Sequence, residues 1–189
     1  MHKTIRLSMS QATTIMLKNH QEVTLRHILK EDLDDIWDNY NEVIDEQLYQ
    51  PSFTKVVEKL EKISWYNEIV GYNNLCVVAE LKQKIGSAVI GQCTIHHDDW
   101  EASEHVGLLG IIIRKEFRNL GLGKRLMEFA MNEAKKNGKR KIVLGTLISN
   151  TAAIHLYENL GFRRIGIRQK QFLMRKKYID ELLMEKWLD

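Results

Sequence analysis

Ile111-Ile-Ile-Arg-Lys-Glu-Phe-Arg118-Asn-Leu-Gly121-Leu-Gly123-Lys-Arg125 is the stretch that decides how this chain is read. Three consecutive isoleucines predict a buried strand. After the glycines, Leu126, Met127, Ala130 and Ala134 recur at helical spacing as far as Asn137-Gly138, a left-handed stop. A strand therefore passes through the turn Arg118-x-x-Gly121-x-Gly123 into a helix. Glycine lets a ligand approach the backbone, and the helix start offers unpaired N–H groups. Together they make an anion site, most naturally for phosphate, to which Arg118, Lys124 and Arg125 add positive charge.

Two familiar phosphate loops fail on these residues. A Walker loop needs Ser or Thr after its lysine, but Lys124 is followed by Arg125, and its leading glycine is missing too. The dinucleotide fingerprint needs a third glycine where Leu126 stands, and the βαβ surroundings are absent. A second block lies one helix and one strand further on: Asn150-Thr-Ala-Ala153-Ile-His-Leu-Tyr157-Glu-Asn-Leu-Gly161-Phe162. The two blocks at this separation resemble the GNAT superfamily of acetyl-CoA-dependent N-acetyltransferases. Its signature is Gln/Arg-x-x-Gly-x-Gly/Ala between the fourth strand and third helix. Tyr178–Met184 resembles the last strand of a branch with small-amine or protein acceptors.

Working outward, seven strands are predicted at Glu22–Leu29, Leu75–Leu81, Ser87–His96, His105–Arg114, Lys141–Ile148, Phe162–Leu173 and Ile179–Trp187. Leu33, Ile36, Trp37, Tyr40 and Ile44 predict a first helix. Phe53, Val56, Val57, Leu60 and Ile63 predict a second, reaching about Tyr66. Gly107 and Gly110 within the fourth strand point to a bulge or a close approach. With the helices after Gly123 and Asn150, the expectation is a mixed, mostly antiparallel α/β sheet of about seven strands and four helices, splayed between strands four and five as the GNAT resemblance implies. Residues 22–189 are expected to form one domain, and 1–21 are read as an N-terminal extension: a loose tail, an extra strand, or partly a stretch upstream of a start at Met16.

The composition narrows the alternatives. The chain has 189 residues, 44% hydrophobic and 28% charged, enough for a core without staples. One proline and 11 glycines exclude collagen-like and low-complexity chains. No apolar run approaches the ~20 residues that span a bilayer, and Met1–Lys18 does not read as a secretory leader. Cys76 and Cys93 read as buried, reduced thiols, so a cytoplasmic location is expected. A net charge of +3 is too mild to argue for nucleic acid as a partner. The basic run Lys135–Lys141 reads as a solvated helix end.

The resemblance implies direct transfer of acetyl from acetyl-CoA to a primary amine, a small cationic amine or a protein amine, with a non-catalytic acyl-CoA-binding sensor or docking domain as the alternative, and it implies roles. Backbone groups of Ile111, Ile112 and Ile113 would meet the acetyl group and pantetheine arm, one N–H stabilising the oxyanion. Arg118, Asn119, Leu120, Gly121, Leu122, Gly123 and Lys124 would wrap the pyrophosphate, with a Gly123 side chain blocking it while leaving the fold intact. Asn150 caps its helix and would reach the pantetheine region. Tyr157 would be both a wall of the coenzyme site and the general acid for the departing thiolate. Glutamates that serve as base in some members are replaced here at Gly107-Leu108 and Gly145. Glu104, His105 and His96 are then the nearby base candidates, beside a water relay. His96-His97-Asp98-Asp99 lacks the spacing of a metal cluster, so no metal is expected. Eight acids between Glu31 and Glu46 read either as a solvated helix face whose aromatics pack in the core or as a wall that steers a cationic amine acceptor. The oligomeric state is left open, a homo-oligomer included.

Overall fold

The computed structural model describes residues 12–72 and 74–188. Its elements are β1 (Thr13–Met16), β2 (Glu22–His27), α1 (Leu33–Glu46), α2 (Lys59–Gly71), β3 (Leu75–Lys82), β4 (Ser87–His97), β5 (Val106–Ile113), α3 (Leu122–Lys136), β6 (Lys141–Leu147), α4 (Thr151–Asn159), β7 (Arg163–Met174) and β8 (Lys177–Trp187). The strands form one sheet in the order β1-β2-β3-β4-β5-β6-β8-β7. Every pairing is antiparallel except β5 with β6. This is the expected mixed fold with four helices, but the sheet has eight strands. The added one, β1, falls in the stretch read as an extension and pairs with β2 from Thr13↔Leu25 to Met16↔Glu22. Its residues are mostly exposed, so they show no burial pattern to read. Residues 1–11 of that extension lie outside the described residues.

The sheet's two faces carry different loads. Cys93, Ile95, Leu109, Ile142, Leu144, Leu182 and Met184 face α3 and α4 in the main core, with Leu126, Met127 and Ala130 opposite. A smaller cluster of Ile36, Ile69, Cys76, Val78 and Val89 lies under α1 and α2. Polar contacts fix α1 on β4 where the β3–β4 register shifts between Ala79 and Glu80. Asp35 accepts the Val89 N–H at 2.8 Å, and Asn39 donates to the Val89 carbonyl at 3.0 Å. Gln92 returns a bond to the Ile36 carbonyl at 3.0 Å. The second helix begins at Lys59 and not near Phe53. Asn41 explains the delay: its amide donates to the Val56 carbonyl and accepts the Val56 N–H, both at 2.9 Å. It acts as a strand partner would and keeps that segment out of the helix, leaving Phe53 and Val57 exposed.

The parallel pairing of β5 and β6 has only three rungs, Val106↔Lys141, Gly107↔Ile142 and Leu108↔Val143. Beyond Leu108, β5 stays with β4 as far as Gly91↔Ile113, while β6 stays with β8 as far as Leu147↔Glu181. The sheet therefore splits at the expected place. Gly107 marks a close approach and not a bulge: a Cβ there would stand 2.5 Å from Ile95 Cγ2 and 3.0 Å from Ile142 Cδ1. The closed end is tied by Lys139. This lysine is buried, unlike the solvated run expected around it. Its ammonium donates to the Glu104 and Val106 carbonyls at 2.8 Å each and lies 2.7 Å from His97 Nδ1. Burial lowers its pKa below the usual lysine value. Lys139→Met removes the donor from two partly buried carbonyls and should cost about 1–3 kcal/mol in denaturant titration. Lys135→Met, on the exposed helix surface, should stay within about 0.5 kcal/mol.

Candidate active site

The split opens into a cavity of about 550 Å³. Ile111, Ile112 and Ile113 line one side, and Arg118, Asn119, Gly121, Gly123 and Lys124 form its rim, with Asn150 and Tyr157 opposite. Leu120 and Leu122 are not among the lining residues; Leu122 is buried and Leu120 packs on the core, so they offer backbone alone. Asn119 (φ 61°) and Gly121 (φ 87°) are left-handed, which turns the chain into α3 with no side chain capping its first N–H groups. The two glycines do different work. A Cβ on Gly121 would have nothing within 4 Å, so its conformation is what glycine supplies. A Cβ on Gly123 would stand 3.0 Å from Leu156 Cδ2 and 3.2 Å from Ile113 Cδ1. Gly123 is thus a close-approach glycine between α3, α4 and β5 as well as a rim residue, and a Cβ there would press on the ends of two side chains.

Arg118 is also placed differently from the reading that gave its charge to an anion. Its guanidinium meets Glu46 at 2.8 and 2.5 Å, donates Nε to the Ile113 carbonyl at 2.9 Å and stacks 5.0 Å over Tyr49. The hydrogen bond from Arg118 holds the Glu46 carboxyl below the usual range despite its burial. That stabilisation is present above the unfolded carboxylate pKa of ~4.3 and fades as pH falls through the lower folded value. Lys124 stays on the rim, and Lys18 joins it from the β1–β2 turn, whose backbone N–H donates to the Leu120 carbonyl at 3.2 Å. Lys18 was hidden from sequence reading inside the supposed extension. Asn150 caps α4 as expected, accepting the Ala153 N–H at 3.3 Å. Tyr157 is buried beside Phe162, ring centroids 6.0 Å apart, and burial pushes its phenol well up, so it stays protonated at neutral pH.

A second cavity of about 190 Å³ lies against Ile111 and Ile112 on the α1–α2 side. Trp37 and Tyr40 from α1, Trp65 from α2, and Gln92, Thr94 and His96 from β4 wall it, with Gly110 beside them. Trp37 packs edge-on to Tyr40 and Trp65 at 5.3 and 5.2 Å, and its indole N–H is buried without a partner. No Asp, Glu, Lys or Arg is among the described residues lining it. Burial lowers the His96 pKa against a weaker pull from Glu68, which favours neutral imidazole. His97, on the opposite face, meets Lys139 instead. Glu104 and His105 are not brought to this site. They stand at the closed end, where the His105 carbonyl accepts the Arg140 and Lys141 N–H groups and its ring stacks 6.3 Å from Trp187. Six strand residues, ~20 Å, separate His105 from Ile111.

The acidic stretch is largely committed elsewhere. Asp32 pairs with Arg26, Asp34 with Lys62, Glu42 with Arg114, Asp45 with Lys55 and Glu46 with Arg118, while Asp35 holds Val89. These six of the eight acids anchor α1, so the expected cation-steering wall is not what the helix builds. Cys76 and Cys93 are free and buried, as expected, and burial pushes both thiols up. Among the described residues, no helix is long and apolar enough to cross a membrane and no cluster of three metal-capable side chains occurs.

Comparison with known proteins fits this geometry. The profile of the Acetyltransferase (GNAT) family matches residues 45–162, more than half of the chain. The chain belongs to that family. It is an acyltransferase of the N-acetyltransferase class. It is 28% identical over 124 residues to a [Ribosomal protein bS18]-alanine N-acetyltransferase of Salmonella typhimurium, covering 66% of this chain and 77% of the relative. It is 34% identical over 77 residues to the Escherichia coli protein of that name, spanning about half (52%) of its length and 41% of this chain. N-alpha-acetyltransferase 30 of Schizosaccharomyces pombe is 37% identical over 60 residues, 32% of this chain and 39% of the relative. A phosphinothricin acetyltransferase from Sinorhizobium meliloti, solved with AcCoA, superposes with TM-score 0.80 at 23% identity over 88% of each chain.

Gly121 and Gly123 should respond to substitution for different reasons. Gly121→Glu should keep the fold, costing about 1–2 kcal/mol for a left-handed non-glycine residue, while weakening acetyl-CoA binding at least tenfold by calorimetry. Gly123→Glu should cost about 1–2 kcal/mol, because its Cβ crowds Leu156 Cδ2 and Ile113 Cδ1, and should weaken acetyl-CoA binding as well, because its carboxylate enters the cavity.

Proposed function

We propose that this enzyme transfers the acetyl group of acetyl-CoA to a primary amine by direct attack, and that the amine is the amino end of a protein. The observation that carries the reading is that two cavities share the backbone at Ile111–Ile112. The larger one has the features of a coenzyme groove: a glycine turn, free helix N–H groups, Lys124 and Lys18 for phosphate, and a half-paired strand for the amide-bearing arm. The smaller one suits the acceptor, because its walls are aromatic and about the size of one side chain. That favours the first residue of a chain over a polyamine. The relatives named for bS18 alanine and for N-alpha acetylation support the same class.

In this scheme the amine arrives as ammonium and must lose a proton before attack. A backbone N–H of the Ile111–Ile113 segment stabilises the oxyanion of the tetrahedral intermediate. The carbon–sulfur bond breaks, and Tyr157 protonates the leaving thiolate; burial keeps its phenol protonated at neutral pH but also makes it a weak acid. A thiol has pKa ~8.5, so the proton helps only modestly.

Thiol release from acetyl-CoA across a panel of amines tests the reading. Peptides with a free N-terminal alanine or methionine should be turned over faster than spermidine, and glutamate should be the poorest. Preference for spermidine or glutamate would assign another acceptor class; acetyl-CoA binding with no turnover of any amine would make the chain a binding domain. Tyr157→Phe should lower kcat about 10- to 100-fold with acetyl-CoA KM unchanged.

A further inference from the structure

The last rung of the β5–β6 pairing joins Leu108 to Val143. Two residues on, Gly110 and Gly145 stand level across the opening gap. Alternation from the core residues Leu109 and Leu144 turns both toward the α1–α2 side. The gap floor there carries no side chain of its own. On one bank is the Thr94 hydroxyl, 3.2 Å from where a Gly110 Cβ would stand. On the other bank is a carboxylate from a different strand. Glu181 of β8 lays its side chain over Gly145, with Cδ 3.0 Å from a Cβ position there and Oε1 still nearer. Its side chain is only 13% exposed, and Arg168 holds Oε2 at 3.0 Å. The carboxyl thus stands where a side chain on residue 145 would begin, and glycine at 145 makes the room for it.

We propose that Glu181 is the general base that takes the proton from the acceptor ammonium. The proposal rests on the transfer reaction above and adds the residue that serves it. His96 lines the smaller cavity and Glu181 does not, but the carboxyl stands level with the cavity residue Gly110 and nearer to Ile112 along the sheet. The Gly110–Gly145 level is two residues, ~7 Å, from Ile112; His96, opposite Leu108, is four residues, ~13 Å, away. Glu185, further along β8, is held by both Lys141 and Arg163. The charged group against Glu181 is Arg168 on β7. Across β6 it faces Gly145 and Leu147, and along its own face of β8 Ile179 and Leu183, none of them titratable.

The protons balance. Glu181 takes one from the ammonium and passes it to water. The nitrogen lone pair forms the carbon–nitrogen bond, and the carbon–sulfur electrons leave on sulfur. Sulfur receives the Tyr157 proton, which is replaced through water by the second proton shed from nitrogen. Ammonium and thioester become amide, thiol and one released proton.

The test uses the full chain, acetyl-CoA and a short peptide with a free N-terminal alanine, from pH 6 to 10. Glu181→Gln should lower kcat/KM for the peptide about 100-fold at pH 7, leave acetyl-CoA KM within twofold, and recover activity toward high pH, where solvent deprotonates the amine. Gly145→Ala, which displaces the carboxylate without removing it, should move the pH profile the same way. His96→Ala should slow turnover less than tenfold with the wild-type profile. Glu181→Gln within threefold of wild type, with an unshifted profile, overturns the assignment while leaving the transfer reaction standing. Wild-type protein that binds acetyl-CoA but acetylates no amine overturns both.

Discussion

Three rungs of parallel pairing between β5 and β6, and then separation, are the constraint on which the rest depends. A strand that loses its neighbour keeps N–H and C=O groups that must find partners. At Ile111–Ile113 those groups border a cavity, so the unmet backbone need becomes a binding capacity. The closed end is made firm by Lys139 and by Gly107, which lets Ile95 and Ile142 close over it. The open end is shaped by Gly123, where α3, α4 and β5 approach within side-chain contact. Closing the gap would remove the site, and widening it would break the core beneath.

The two cavities are mechanically one object. Glu46 at the end of α1 grips Arg118, and Arg118 grips the Ile113 carbonyl, so the helix that walls the smaller cavity is tied to the turn that rims the larger. Arg114 and Glu42 repeat the link at 3.1 Å. The acids of α1 thereby hold the acceptor wall in register with the coenzyme turn, a structural task for charges that looked like a surface for ligands. Under the proposed reading, selection of the acceptor falls to Trp37, Tyr40 and Trp65, which wall the smaller cavity.

Much of this was legible in the sequence because local rules and packing agree there. The turn at Gly121, the stop at Gly138 and the cap at Asn150 are short-range devices, and each stands where its residues say. The illegible parts depend on distant partners. β1 exists because β2 offers an edge, and Lys18 enters the site only through it. The start of α2 is set by the amide of Asn41, fifteen residues before Val56. Lys139 reads as one more surface cation until the carbonyls it ties are seen. Glu181 is remote from both motifs and meets Gly145 only through the β6–β8 register, which no spacing in the chain announces.

The central claim is that the parted strand binds the coenzyme on one side and receives the amine on the other. A crystal structure with a bisubstrate analogue, coenzyme A joined through an acetyl bridge to the amine of an alanine peptide, tests it most directly. The account predicts the pantetheine amides hydrogen-bonded to backbone at Ile111–Ile113, the pyrophosphate on the Asn119–Lys124 turn, and the alanine among Trp37, Tyr40 and Trp65. A coenzyme seated away from the β5–β6 gap, or a peptide entering on the same side as the pantetheine, would contradict it.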